Sequence, residues 1–201
     1  MDIQNSIFEN NGADKWAGAV LSFSNATTNI VNSSFKNNVA GWNGGAIYTY
    51  SILNVSDSTF EGNNCTTNNG GGAIGALSYG STYNVTVDNC IFKNNHNLDS
   101  AGYGGAISAM DAGYFHLYYS TFINNTATTG KAIAVREGEY IDDNHTWDEN
   151  VTLGNPVFGI AYNTFVDVEA HSNDVNIAYV SNNASYIAAH NNTFYTPSEY
   201  A

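Results

Sequence analysis

Two short motifs alternate along this 201-residue chain, and their period decides what it can fold into. The first is a phenylalanine followed by asparagines: SIFENN, SSFKNN, STFEGNN, CIFKNN and STFINN. Their phenylalanines, Phe8, Phe35, Phe60, Phe92 and Phe122, are spaced 27, 25, 32 and 30 residues apart. The second motif is AGAV at 17–20, GGAI at 44–47, 71–74 and 104–107, and GKAI at 130–133. From each Phe to the Val or Ile of the following motif the distances are 12, 12, 14, 15 and 11. A repeat of this length admits helical arrays, propellers and β-solenoids. Helical arrays are excluded, because Asn, Gly, Ser, Thr and Tyr dominate where Ala, Leu, Glu and Lys should recur at helical spacing. Propeller blades need about 40–45 residues with four strands each. One solenoid coil of three short strands fits the shorter, variable period.

The side-chain pattern agrees. Apolar residues stand five and seven positions before the anchor: Leu53 and Val55 before Phe60, Val85 and Val87 before Phe92, Phe115 and Leu117 before Phe122. A small residue stands two positions before it: Ser6, Ser33, Ser58, Cys90, Ser120. Period-two alternation on both sides of a polar bend describes two strands joined by a corner, and the Ile of GGAI marks a third. Stacking coils about 4.8 Å apart sets Phe on Phe and Ile on Ile. Each buried Phe then contributes roughly 1.5–3 kcal/mol. The asparagine pairs are expected to stack at a corner, with their amides bonding along the axis and to turn backbone. The expected fold is all-β: a right-handed parallel β-helix of the pectate-lyase-like solenoid type, with three short strands per coil. Regular coils span 1–135. Residues 136–201 form diverged coils or a capping region of the same domain, with NTF at 163–165 and 192–194 as degenerate anchors.

Composition bounds the function. Charged residues are only 11%, and 31 asparagines stand against 5 Lys plus Arg. A net charge of −13 with no basic patch excludes nucleic acid as a partner. No apolar run approaches the roughly 18 residues of a membrane span, so no membrane insertion is expected in this segment. Met1 runs directly into the repeat without a basic, apolar leader, which reads as a piece of a longer multi-domain protein whose targeting signal lies upstream. Cys65 and Cys90 sit at different points of the repeat, so two free or buried thiols are expected rather than a disulfide. Ten N-x-S/T sequons fit a secreted glycoprotein, although a chain this rich in Asn, Ser and Thr also produces them by accident.

The alternating GGAI and FxxN motifs resemble the repeats of chlamydial polymorphic outer-membrane proteins. The Asn- and Thr-rich STFINNTATTGKAI and SSFKNNVAGWNGGAIY look still more like the adhesin-like proteins of methanogenic archaea. The resemblance covers residues 1 to about 135. It implies an extracellular, cell-surface location and a role in attachment to a glycan or a cell-surface protein, with no catalytic residues and no cofactor.

The alternative is a carbohydrate-active β-helix enzyme, a polysaccharide lyase or glycoside hydrolase. Its acidic cluster would be the stretch after Arg136, where Asp142, Asp143, Asp148 and Glu149 could hold Ca²⁺ or supply paired carboxylates. Adjacent carboxylates on a strand point to opposite faces, so a solvated acidic loop is the simpler expectation. The five histidines lack metal-ligand spacing. Binding has better support. By alternation from an inward Ile, Phe23, Tyr48, Tyr50 and Leu77 face outward as an apolar stripe able to stack sugars or dock a partner. Equally, the strand could bend after the Ile and turn the third residue into the core. Tyr79 and Tyr103, with Tyr83 and Tyr114, add candidate contact residues in loops.

Overall fold

The computed structural model describes residues 1–23, 26–67, 70–77, 83–110, 114–136, 157–166, 178–180 and 186–195. Within them every regular element is a strand, and every pairing is parallel and joins one coil to the next. The chain is a parallel β-solenoid with four sheets on its sides. The first sheet stacks Asp2–Gln4, Thr27–Val31, Ile52–Ser56, Asn84–Asp88, Tyr114–Tyr118, Val157–Ala161 and Tyr186–His190. The second stacks Ile7–Glu9, Ser34–Lys36, Thr59–Glu61, Ile91–Lys93, Thr121–Ile123, Thr164–Val166 and Thr193–Tyr195. The fourth carries the Val or Ile of the second motif, from Val20–Ser22 through Ile133–Arg136 to Ala178–Val180. These are the three strands that the repeat predicts. A third sheet lies between the second and the fourth: Gly12–Ala13, Val39–Ala40, Asn64–Cys65 and His96–Asn97. Two-residue strands carry no readable alternation, which is why the motif spacing gives three strands per coil where four ladders stand.

In-register stacking makes the core. Phe8, Phe35, Phe60, Phe92, Phe122, Phe165 and Phe194 form one column, each ring 4.7–5.0 Å from the next and within 14° of parallel. Offset stacking adds about 0.5–1.5 kcal/mol per pair to the burial of each ring. Ile47, Ile74, Ile107 and Ile133 form a second column across the interior, while Leu53, Val85 and Phe115 line the first sheet. The degenerate NTF segments place Phe165 and Phe194 in the same column, so the ladders continue on both sides of residue 136.

The two asparagines after each Phe do different work. The first, at Asn10, Asn37, Asn94 and Asn124, takes φ of 50–57°, and Gly62 takes the same place with φ 67°. That left-handed corner suits Asn and Gly and few other residues. The second forms a buried amide ladder. The Nδ2 atoms of Asn11, Asn38, Asn63 and Asn95 donate to the Oδ1 of the asparagine one coil on, at 2.8–2.9 Å. Asn38, Asn63, Asn95 and Asn125 also donate to the carbonyl oxygens of Phe8, Phe35, Phe60 and Phe92, each at 3.0 Å. Each Oδ1 further accepts a backbone N–H from the coil before.

A parallel device runs at the preceding corner. The Ser33 hydroxyl accepts from Ser6 N–H and donates to Val31 O, and the Ser58 and Ser120 hydroxyls repeat the pattern. Cys90 occupies the same slot with Sγ 3.1 Å from Asp88 O. In the two diverged coils Asn163 and Asn192 replace the serine and start a second amide ladder, Nδ2 to Oδ1 at 3.1 Å. The glycine pairs answer to close approach: a Cβ on Gly45 would lie 2.0 Å from Gly72 O, and one on Gly72 would lie 2.1 Å from Gly105 O. Lys131 stands where those glycines stand, one coil later, and marks the end of that run.

Phe60→Ala should cost about 3–5 kcal/mol in urea unfolding, as a fully buried ring loses both stacking partners. Asn63→Asp, nearly isosteric, removes both side-chain donors and buries a carboxylate, and should cost on the order of 3 kcal/mol or more. A loss near zero in either variant would contradict the ladder.

Candidate functional site

With the interior filled by ladders, chemistry and recognition fall to the outward side chains. On the outer face of the fourth sheet, alternation runs as expected: Ile47, Ile74 and Ile107 belong to the interior core, while Tyr48, Tyr50, Leu77 and Met110 form a separate cluster on the other side. The expected open stripe is corrected, however. Tyr48 is 1% exposed, and Tyr50 and Leu77 are each 8% exposed. The cause is visible in the register. Tyr48 pairs with Gly75, and its ring lies over that glycine, where a Cβ would sit 2.9 Å from Tyr48 Cδ2. Neighbouring Trp16, Ala17, Leu77 and Met110 pack around it.

What remains open lies toward the first two coils. Phe23 is 52% exposed and stacks on Tyr50 at 5.2 Å and 15°. Trp16 meets Phe23 edge-on at 6.1 Å and Trp42 at 5.7 Å, and Trp42 is 42% exposed. The Lys15 Nζ sits 5.1 Å over the Trp42 ring. Exposed Phe23 and Trp42 thus flank half-buried Trp16, which packs on a base of buried Tyr, Leu and Met. Trp16 and Trp42 were not among the residues singled out from sequence. Their signal was positional: each precedes the glycine-rich motif by a few residues, in KWAGAV and GWNGGAI.

The other expected contact residues are scattered. Tyr103 is half-buried and pairs with Thr129 through an isolated bridge. Tyr83 is buried, with its hydroxyl donating to Met110 O at 2.8 Å, so it is scaffold. Tyr114 is exposed on the first sheet beside His116. Tyr79 and the acidic residues Asp142, Asp143, Asp148 and Glu149 lie outside the described residues. Among the described residues no group of three or more His, Cys, Asp or Glu side chains comes together to hold a metal. Lys36 and Lys93 project outward and face Glu9 and Glu61 at 4.0 and 3.4 Å, exposed pairs of little energetic weight.

A second aromatic group occupies the corner between the first and second sheets. Here the coils present Asn5, Asn32, Asp57, Asn89, Tyr119, Tyr162 and Asn191 in sequence, all with φ between 48° and 60°. For bulky side chains this region is a genuine outlier, costing on the order of 1–3 kcal/mol each. Tyr119 and Tyr162 nonetheless stack at 5.1 Å and 11°, with the His190 ring edge-on to Tyr162 at 5.7 Å.

Both cysteines are free and buried. Burial away from water pushes each thiol up from 9.0 to about 12, against backbone N–H groups (Thr67 for Cys65, Ser58 for Cys90) that pull the other way. A thiol held protonated is no nucleophile at neutral pH.

Residues 32–50, one complete passage from the asparagine-lined corner through GGAI, match the model of the Chlamydia polymorphic membrane protein (Chlamydia_PMP) repeat. No curated protein and no solved structure matches the chain. Over those residues the repeat is similar to that of polymorphic membrane proteins, and here it is carried on a β-solenoid.

The thiols make a pH prediction. Below pH 9 both folded and unfolded chains keep the thiol protons and stability is complete. Between pH 9 and about 12 the unfolded chain has lost protons that the fold retains, so stability should fall by about 1.4 kcal/mol per pH unit for each thiol. Cys90→Ser restores the residue used in neighbouring coils and should fold. Its urea-derived stability should fall less steeply over that window than the parent's; parallel curves would contradict the assignment.

Proposed function

We infer that this chain is a non-catalytic segment of a surface-displayed, adhesin-like protein, in which the solenoid is a rigid spacer and its lateral aromatic residues contact a glycan or protein on a partner surface. The observation that carries the reading is the Trp16–Phe23–Trp42 group. Two exposed rings are held through half-buried Trp16 on a buried aromatic and aliphatic base, on a scaffold whose stability is supplied from the inside. Large rigid side chains with little rotamer freedom to lose are what contact surfaces favour. Support also comes from the match of residues 32–50 to a polymorphic membrane protein repeat, and from the resemblance of motifs such as SSFKNNVAGWNGGAIY to adhesin-like proteins of methanogenic archaea. The low content of Lys and Arg argues against polyanionic partners, and the acidic surface favours solubility of a displayed rod.

Immobilised segment should retain partner cells or glycan-coated beads, and Phe23→Ala with Trp42→Ala should lower that retention at least tenfold, about 1.4 kcal/mol, with little change in thermal midpoint. The same panel of polysaccharides should show no release of reducing or unsaturated ends. Cleavage of any of them, or retention indifferent to both substitutions, would overturn this reading.

A further inference from the structure

Seven coils place a residue at the corner between the first and second sheets, and all seven adopt the left-handed conformation there. Four of them are asparagine and one is aspartate. Tyr119 and Tyr162 depart from that rule in two successive coils, and nothing in the fold asks for it. The backbone N–H of Asp57 bonds to Asp88 O at 3.1 Å and that of Asn89 to Tyr118 O at 3.1 Å; Tyr119 N–H bonds to Ala161 O at 3.2 Å and Tyr162 N–H to His190 O at 3.3 Å. The same backbone bond is made whichever side chain is present. Asparagine would make it without the strain that a bulky side chain meets in this conformation. Nor do the two rings fill the core, since Tyr119 is 59% exposed and Tyr162 48% exposed. Strain retained at two adjacent exposed positions, with only the stacking of one exposed ring on another as its return in packing, points to selection for something outside the fold.

The surroundings say what. The two parallel rings are 5.1 Å apart, and His190 stands edge-on at one end of the pair. Exposed Asn89 lies one coil before the pair and exposed Asn191 one coil after it. From Asn89 to Asn191 the axis advances three rungs, about 14 Å at the usual strand spacing. An apolar aromatic surface between amide groups suits a ligand with C–H faces and a rim of hydroxyls, because the rings cover the former and the amides bond the latter. Among the described residues no lysine serves the corner: Lys36 and Lys93 face glutamates, Lys15 lies over Trp42 in the first two coils, and Lys131 is buried in the glycine-rich motif. With a chain charge of −13, a polyanion would be repelled.

We propose that the Tyr119–Tyr162 corner is a binding site for a neutral hexopyranose glycan lying along the solenoid axis. It is independent of the Trp16–Trp42 surface, which stands on coils one and two, so either site can fail without the other. The test measures neutral tetrasaccharides of glucose, galactose, mannose and N-acetylglucosamine, with polygalacturonate as the anionic control, by saturation-transfer NMR and titration calorimetry. At least one neutral tetrasaccharide should bind, with transfer to Tyr ring protons, and polygalacturonate should not. Tyr119→Asn with Tyr162→Asn should weaken that binding at least tenfold while the thermal midpoint stays level or rises. Lys36→Ala, at an exposed ion pair in the second coil, should leave this tetrasaccharide binding unchanged. Absence of binding to every neutral tetrasaccharide, equal binding by the double Asn variant, or a preference for polygalacturonate would overturn the proposal. So would a fall in the double variant's thermal midpoint, because the rings would then be structural.

Discussion

A primary amide has two N–H donors and an oxygen that accepts twice, and the buried corners after Phe35, Phe60 and Phe92 use all four. Asn63 donates to Asn95 Oδ1 and to Phe35 O, and its own oxygen accepts from the side chain and the backbone of Asn38. Aspartate lacks the donors, serine has one too few, and glutamine is a methylene too long for the same corner. Because Asn38, Asn63 and Asn95 are each satisfied by the coils on either side, a polar row can run through the interior without the cost of unpaired groups. That row also fixes register: a coil that slipped by one residue would break its amide bonds and turn its Phe outward together. The phenylalanine column supplies five of the largest fully buried side chains, and the amides decide where each ring must sit.

Once the interior specifies the fold, the outer positions are released from structural duty, and that division is where function enters. The serine slot accepts Cys90, Asn163 or Asn192 provided that the small polar group still bridges two coils. Loops between sheets vary in length, as the uneven 25–32 residue spacing of the anchors records. On the outside, among the described residues, rings gather at Trp16, Phe23 and Trp42 over a buried base and at Tyr119 with Tyr162 at a strained corner. The first is cheap in conformational terms because its base is already packed. The second is held against backbone preference, which gives it more meaning than exposure alone.

Much of this was legible in the residues. The alternation of Leu53, Val55 and Phe60 gave two strands and a corner, and the small slot at Ser58 or Cys90 was rightly placed inward, because period-two patterning and stacking leave few alternatives. The side of the sheet taken by Tyr48 and Tyr50 also followed from alternation. Their exposure did not, because it depends on a glycine in the next coil: Gly75 opens the space that Tyr48 fills. The third sheet leaves no pattern in the sequence, because Val39–Ala40 and Asn64–Cys65 are too short to alternate. Tyr119 was hidden for another reason. Its oddity is a backbone angle at a position where its neighbours are Asn or Asp, and only an alignment of coils by register brings that comparison out.

The central claim is that a continuous amide ladder, closed on both sides, locks coil to coil. Its most direct test is hydrogen exchange at the side-chain NH₂ groups of Asn38, Asn63 and Asn95, followed by NMR. Buried and doubly bonded, these protons should exchange only with global unfolding, as slowly as the backbone amides of Phe60 and Ile74. Exchange at the rate of exposed asparagine side chains such as Asn191, while the backbone of the same coils stays protected, would contradict it.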